Sequence, residues 1–161
     1  MKKIIVTIPA YNEEETIGLV IKDIKKVNKN YTVLVVDDGS KDKTKEVAKK
    51  NGAIVVSHPK NYGLAEAFRT EIKECLRLKA DIIVHTDADG QYLASDIPRL
   101  IKEVEDGNDL VLGNRFLGGI ESMPLLKKLG NKAFSNAISK IVRQKIGDCQ
   151  TGFRAFTKEV A

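Results

Sequence analysis

The chain has 161 residues, of which 42% are hydrophobic and 30% charged, a composition typical of one soluble globular domain with a substantial core. It contains no apolar run of the roughly 18 residues that a membrane span requires. Its N-terminal apolar stretch is too short for a signal peptide, which predicts a cytoplasmic location. The formal net charge of +5 is local, because 123–146 holds six basic residues and no acidic one. Such a segment attracts the phosphates of nucleic acids, lipid head groups or phosphorylated substrates.

Strands and helices alternate along the first 113 residues. The predicted strands are continuously apolar, which is typical of strands covered on both faces, and the helices carry apolar residues at three- and four-residue spacing. This alternation predicts an α/β fold, with one mostly parallel sheet and helices on both of its faces. The predicted elements are strand 3–8, helix 13–27, strand 31–36, helix 42–50, strand 53–56, helix 64–78, strand 81–86, a helix after Ser95, strand 109–112 and, beyond an irregular stretch at 114–122, a basic helix over 125–146.

Several residues have an expected place within these elements. Pro9 is expected to end the first strand, and the acidic residues 13–15 to lie in the first turn of the next helix, where they suit the helix dipole. Ser95 is expected to cap its helix, and Leu76 to face the core. His85 falls inside a strand, where a buried histidine with a hydrogen-bond partner is the expected arrangement.

Acidic residues follow three of the strands. Asp87 and Asp89 follow the fourth strand, Asp38 follows the second and Glu13 the first. A parallel sheet brings these ends to one edge, which is where open α/β sheets bind their ligands. Clustered carboxylates repel each other unless a cation or hydrogen-bond donors compensate, and an Asp-x-Asp turn suits Mg²⁺ or Mn²⁺ shared with substrate phosphates. The alternative is an ordinary Asp-Gly turn with a helix-capping aspartate.

Other polar residues have weaker signals. Arg115, just beyond the fifth strand, is the best candidate to counter charge on a leaving phosphate. Asp38 has two open interpretations, as an acceptor for a base or ribose and as a helix cap, and His58 is expected in a loop. Cys75 and Cys149 are expected to be free thiols. No GxGxxG, GxxxxGK[ST], HExxH or GxSxG motif is present, which disfavours dinucleotide, phosphate-loop, zinc and serine-hydrolase sites.

Six stretches together resemble the family 2 glycosyltransferases of the GT-A fold. They occur in the family's order and cover nearly the whole chain, and the resemblance is strongest to the dolichol-phosphate mannose or glucose synthase (polyprenyl-phosphate glycosyltransferase) group. The stretches are VTIPAYNEE at 6–14, VVDDGSKDKT at 35–44, NYG at 61–63, DADGQ at 87–91, GNR at 113–115 and GFR at 152–154. The resemblance implies a Rossmann-like GT-A domain over 1–161, with 1–113 binding a nucleotide sugar and 114–161 forming an incomplete acceptor side.

The resemblance also implies roles for individual residues. A nucleoside pocket would be lined by Pro9, Ala10, Tyr11 and Glu13, with Asp38 reading the base. The donor diphosphate would be bound at Asp87, Ala88, Asp89 and Gln91, with Asp87, Asp89 and Gln91 as the metal ligands. Arg115 would contact phosphate. The sequence departs from the family pattern at Thr70, where many members have glycine, and at its end, because members continue further, which predicts a truncated chain.

The implied reaction is the inverting transfer of a hexose from a GDP-mannose or UDP-glucose type donor to a polyprenyl or dolichyl phosphate, with Mg²⁺ or Mn²⁺. The alternatives are a sugar hydroxyl as acceptor and a nucleotide-sugar-binding fragment without turnover. A hydroxyl acceptor needs a base, for which Asp148 is placed by sequence order. The basic helix of 123–146 is expected either to lie on the cytoplasmic face of a membrane or to pack on the core. Nucleic-acid binding is disfavoured, because Phe134 is the helix's only aromatic residue.

Overall fold

A computed structural model describes residues 2–115 and 125–161, with only the helical backbone at 125–128. Strands and helices alternate as the sequence predicts. The elements are β1 (Ile4–Ala10), α1 (Ile17–Val27), β2 (Thr32–Asp37), α2 (Thr44–Lys50), β3 (Ile54–Ser57), α3 (Leu64–Arg77), β4 (Ile82–His85), α4 (Ile97–Glu105), β5 (Leu110–Leu112), α5 (Leu125–Val142) and β6 (Arg154–Thr157). Of the irregular stretch expected at 114–122, residues 116–122 lie outside the described residues.

The strands form one six-stranded sheet in the order β3-β2-β1-β4-β6-β5. The first four of these strands are parallel, which confirms the predicted mostly parallel sheet. The sequence analysis did not predict β6, which inserts between β4 and β5 and runs antiparallel to both. In this register Arg154 pairs with His85 on one side and with Leu112 on the other. The segment that precedes β6 is therefore carried to the end of β4.

Helices cover both faces of the sheet, as predicted. One face packs against α1, α2 and α4 in the larger apolar core. The other face packs against α3 in a smaller core that includes Ile5, Leu34, Cys75 and Ile83. Because side chains alternate along a strand, Ile83 and His85 both point toward α3. Cys75 and Cys149 are free thiols, as predicted.

Some predicted element ends are wrong. The first helix begins at Ile17, because 13–16 form a turn in which the Glu13 backbone N–H donates to the Thr44 hydroxyl at 2.7 Å. The acidic residues 13–15 therefore precede the first helical turn. Strand β1 continues through Pro9, which still pairs with β2. The pairing of β1 with β4 has already ended at Thr7, so the missing N–H of Pro9 interrupts no hydrogen bond between β1 and β4.

Three further expectations about the helices are corrected. Ser95 does not cap α4, because it lies within a 3-10 turn over Ala94–Asp96 that leads into the helix. Leu76 is 43% exposed, since Ala67, Glu71 and Cys75 form the buried side of α3. The last helix ends at Val142, four residues earlier than expected. Within the described residues, no helix combines the length and apolarity needed to cross a membrane.

Candidate active site

A cleft of about 240 Å³ opens at the edge where β1, β2 and β4 end. It collects residues from three strand ends and from the start of α3, so Asp38 and Asp89 share one cavity as the parallel sheet predicts. The lining residues are Pro9, Ala10, Tyr11, Glu13, Asp38, Asn61, Gly63, Leu64, Ala67, Asp87, Ala88 and Asp89. Eight of the predicted donor-binding residues are therefore together. Gln91, Arg115 and Asp148 do not line this cleft.

The Asp-x-Asp turn places two carboxylates at the mouth of the cleft. Asp89 is exposed, and its Oδ1 accepts a hydrogen bond from the Gln91 backbone N–H at 3.0 Å. Asp87 is partly buried, and this burial raises the pKa of its carboxyl. The negative charge of Asp89 raises that pKa further, while the opposing contributions come from His85, Arg154 and Arg115. Burial thus disfavours the charged form of Asp87 more than the neighbouring cations favour it. A cation in the cleft would supply the missing compensation.

Asp38 anchors the loop that forms one wall of the cleft. Its carboxylate accepts hydrogen bonds from the backbone N–H groups of Tyr62 at 2.9 Å and Gly63 at 2.8 Å, and from His58 Nδ1 at 2.7 Å. Burial alone would raise the pKa of this carboxyl, but these three donors lower it below its ordinary value. The other ring nitrogen of His58 lies 2.9 Å from the Thr70 hydroxyl. His58 is thus a loop residue, as expected, and the role of Asp38 toward a base stays a prediction.

Arg115 and Asp148 form a partly buried ion pair that does not line the cleft. The guanidinium donates from Nε at 2.7 Å and from Nη2 at 3.0 Å, and the Asp148 side chain is fully buried. This pair raises the pKa of Arg115. The Asp148 carboxylate also accepts from the Gln150 backbone N–H at 3.2 Å. Its predicted role as a base stays a prediction, and in this arrangement the carboxylate is fully engaged by protein donors.

Residues 5–161 match the model of glycosyl transferase family 2. The chain belongs to this family. It is 36% identical over 158 residues to the dolichyl-phosphate hexose transferase of Haloferax volcanii, covering 96% of this chain and 66% of the relative. It is 34% identical to the dolichol-phosphate mannosyltransferase of Pyrococcus furiosus, covering 98% of this chain and 47% of that protein.

The fold comparison agrees with the family assignment. The solved glucosyl-3-phosphoglycerate synthase of Mycobacterium tuberculosis, in complex with Mn²⁺, UDP-glucose and glycerol 3-phosphate, superposes with a TM-score of 0.75 at 25% identity. The match covers 99% of this chain and 58% of that one. This family 2 chain therefore has the GT-A fold, and it spans about half to two thirds of the length of the relatives it matches.

The possible metal ligands of this family 2 member suit an ion that is bound partly by the protein and partly by substrate phosphates. Within 2–115 and 125–161, no group of three or more His, Cys, Asp or Glu side chains is arranged to hold a metal. Asp87 and Asp89 nevertheless line the same cleft with their carboxylates. Mg²⁺ and similar ions are commonly held by one or two carboxylates together with substrate phosphates and water. The Gln91 side chain is exposed and outside the cleft lining, so its ligand role stays a prediction.

The sequence analysis missed one buried acid next to this site. Glu71 is completely buried on α3, and its Oε2 is 2.7 Å from Nδ1 of His85. Burial raises the pKa of Glu71 despite the opposing hydrogen bond from His85. The expected buried, hydrogen-bonded histidine is confirmed. The signal for Glu71 was its place midway between Ala67 and Cys75, since residues four apart share one helix face.

Proposed function

We propose that this chain is the core of an inverting glycosyltransferase that moves a hexose from a GDP-mannose or UDP-glucose type donor to a polyprenyl or dolichyl phosphate. The observation that carries the proposal is the single cleft in which Asp38 and Asp89 meet at the ends of separate parallel strands. The names of the Haloferax and Pyrococcus relatives support a dolichyl phosphate acceptor. In this proposal 1–113 bind the donor, and 114–161 face the acceptor.

The donor side of the cleft suits a nucleoside diphosphate. The nucleoside would be contacted by Pro9, Ala10 and Tyr11. Asp38 would hold the loop that forms one wall of the cleft and would keep one lone pair free to accept a hydrogen bond from the base. Asp87 and Asp89 would hold Mg²⁺ or Mn²⁺ with the donor's phosphates, and that ion would supply the positive charge that stabilises the departing diphosphate. The Mn²⁺ and UDP-glucose in the Mycobacterium tuberculosis structure support this choice.

The geometry favours a phosphate as acceptor. An ionised phosphate oxygen attacks the anomeric carbon without a base, the bond from that carbon to the diphosphate oxygen breaks, and the configuration inverts. A hydroxyl acceptor would need a base, and Asp148 is fully buried and doubly bonded to Arg115. The charge of Arg115 favours the ionised form of Asp87 and so opposes the effect of burial, which raises the pKa of that carboxyl. Asp148→Asn is therefore expected to retain near-normal transfer, whereas a loss of several orders of magnitude in rate, with donor binding intact, would favour a hydroxyl acceptor.

The donor assignment is tested by a thermal-shift panel of UDP, GDP and their sugars, each with and without Mn²⁺. We expect one nucleotide series to raise the melting temperature, and Mn²⁺ to increase that shift. Asp89→Asn should remove the Mn²⁺-dependent part. Asp106→Asn is the matched control, because Asp106 pairs with Lys102 on the surface at 3.0 Å. No shift with any nucleotide would refute the proposal, and binding without transfer to any lipid phosphate would favour the fragment without turnover.

We also propose that α5 contacts the cytoplasmic face of an anionic membrane. Over 129–142 its exposed side carries apolar residues, with Phe134 52% and Ile141 75% exposed two turns apart, while Asn131 and Ser135 are buried. A helix that buries polar groups and exposes apolar ones beside lysines suits a membrane interface. Sedimentation with phosphatidylglycerol vesicles tests this, and we expect Ile141→Ser to reduce binding. Equal binding to neutral vesicles would argue against an electrostatic contribution.

A further inference from the structure

A polar pair interrupts the smaller core directly behind the Asp-x-Asp turn. Glu71 and His85 occupy the positions that continue the apolar rows of α3 and β4, and both are buried. Oε2 of Glu71 lies 2.7 Å from Nδ1 of His85. The edge of the imidazole packs against the Phe68 ring, with centroids 5.2 Å apart. The imidazole is thus fixed in orientation by one polar and one aromatic neighbour.

Stability does not explain why these residues are there. A buried carboxylate and its partner lose their hydration, and an apolar pair of similar volume is commonly as stable or more stable at such a position. The Glu71 carboxylate interacts with the buried Thr7 hydroxyl, but neither that hydroxyl nor Oε1 of Glu71 makes a hydrogen bond of standard geometry within the described residues. The cluster therefore carries a cost in stability that an apolar core would avoid.

The free side of the imidazole faces the site. Nε2 of His85 lies 3.9 Å from Oδ1 of Asp87. The Asp87 carboxylate also packs against the backbone of Gly152, where an added Cβ would come within 2.5 Å of Oδ2. The imidazole and this stretch of backbone thus both neighbour a carboxylate that is otherwise 37% exposed.

We propose that Glu71 and His85 are positioning residues for Asp87: Glu71 holds the imidazole, and the imidazole holds the carboxylate in the orientation that meets the divalent ion and the donor diphosphate. This inference rests on the proposed function. Groups that orient a metal ligand from behind typically change metal affinity by about 10- to 100-fold when they are removed.

The test is the gain in UDP and GDP affinity that Mn²⁺ produces, measured by calorimetry as the ratio of Kd values without and with the ion. His85→Asn retains a polar group near Nδ1, so Glu71 keeps a partner, but it lacks Nε2. We expect this variant to lose about tenfold or more of the Mn²⁺-dependent gain, with unchanged affinity in the absence of metal. Glu71→Gln, which keeps a hydrogen bond to the ring, should retain the gain, and Glu71→Leu should lose it.

Glu74→Gln is the control, because Glu74 lies on the same helix but pairs with Arg77 at the surface. Melting curves establish which variants are folded, and Glu71→Gln keeps the test decisive if Glu71→Leu is unfolded. The inference is overturned if folded His85→Asn keeps the full Mn²⁺-dependent gain, or if Glu71→Gln loses it as completely as Glu71→Leu. A wild-type protein that binds neither nucleotide would refute the proposed function itself, which is a distinct outcome.

Discussion

Gly152→Ala tests whether the Asp87 carboxylate must stay where the structure places it. A Cβ at residue 152 would lie 2.5 Å from Oδ2 and 2.8 Å from Oδ1 of Asp87. Ordinary van der Waals contact begins at 3.4 Å, so Oδ2 must retreat by the difference, about 0.9 Å. The φ angle at Gly152 lies outside the left-handed range, so the backbone itself accepts alanine. The substitution therefore acts by displacing the carboxylate.

The expected effect on binding is large, because metal sites tolerate little displacement. Ligand distances in a plausible site agree within about 0.2 Å, and a misplacement of about 1 Å can cost on the order of a hundredfold. Rotation of the Asp87 side chain relieves part of the clash, so we expect at least about tenfold loss of the Mn²⁺-dependent gain in nucleotide affinity. The free energy of unfolding should fall only slightly, because the atoms displaced belong to the end of a partly exposed side chain and not to the backbone.

Gly130→Ala is the matched control for this experiment. Gly130 is exposed within α5, and a Cβ there would meet nothing within 4 Å, so alanine should stabilise the helix by up to about 1 kcal/mol. Nucleotide affinity should not change in this variant. Calorimetry with UDP and GDP, with and without Mn²⁺, is run on both proteins beside urea denaturation. If Gly152→Ala keeps the full Mn²⁺-dependent gain, the argument that a fixed Asp87 carboxylate binds the ion is refuted.

Three further predictions concern stability and thiol reactivity. Asp38→Ala removes the acceptor of three hydrogen bonds and should lower the free energy of unfolding by about 3 kcal/mol in urea denaturation at neutral pH. Because the pKa of Asp38 is lowered in the folded state, the difference in stability between the two proteins should shrink as the pH falls below the ordinary aspartate pKa. A pH-independent difference would contradict the explanation. Arg115→Ala leaves Asp148 buried without its cation and should lower the free energy of unfolding by about 3–5 kcal/mol. Adding Asp148→Asn should restore part of this stability, and no restoration would argue against an uncompensated charge. Burial raises the pKa of the Cys75 thiol to about 12, so a thiol reagent at pH 8 should label Cys149 alone in the folded protein and both thiols in urea, whereas rapid labelling of Cys75 would contradict its burial.

The convergence of the acidic strand ends could be predicted because it depends on topology alone. Apolar runs alternating with helices require a parallel sheet, and a parallel sheet aligns the ends of β1, β2 and β4 whatever their side chains do. Asp38 and Asp89 therefore had to approach each other. The hydrogen bonds of Asp38 could not be predicted, because its donors come from a loop more than twenty residues away whose path depends on tertiary packing.

Strand β6 and the Arg115–Asp148 pair were beyond prediction for a related reason. Strand β6 is only four residues long, and the register partner of Arg154 in β4 is 69 positions earlier in the chain, so no local periodicity marks it. Asp148 was predicted as a base because sequence order shows a residue's type but not its burial. The bond to Arg115 joins residues 33 positions apart, so no local pattern marks this ion pair, and the role of Asp148 as a base toward a hydroxyl acceptor stays a prediction.

The placement of β6 also changes how the two proposed parts of the chain relate. The proposed division at residue 113 assigns the first part of the chain to the sugar donor and the second part to the acceptor. Strand β6 belongs to the second part, yet it lies inside the sheet between β4 and β5. Gly152 packs against the Asp87 carboxylate, and its backbone N–H donates to the Tyr92 hydroxyl at 3.0 Å. The charge of Arg154 opposes the effect of burial, which raises the pKa of Asp87. Residues beyond 150 therefore belong to the surroundings of Asp87 in the proposed donor site, and the two parts must fold as one unit for Asp87 to have these surroundings.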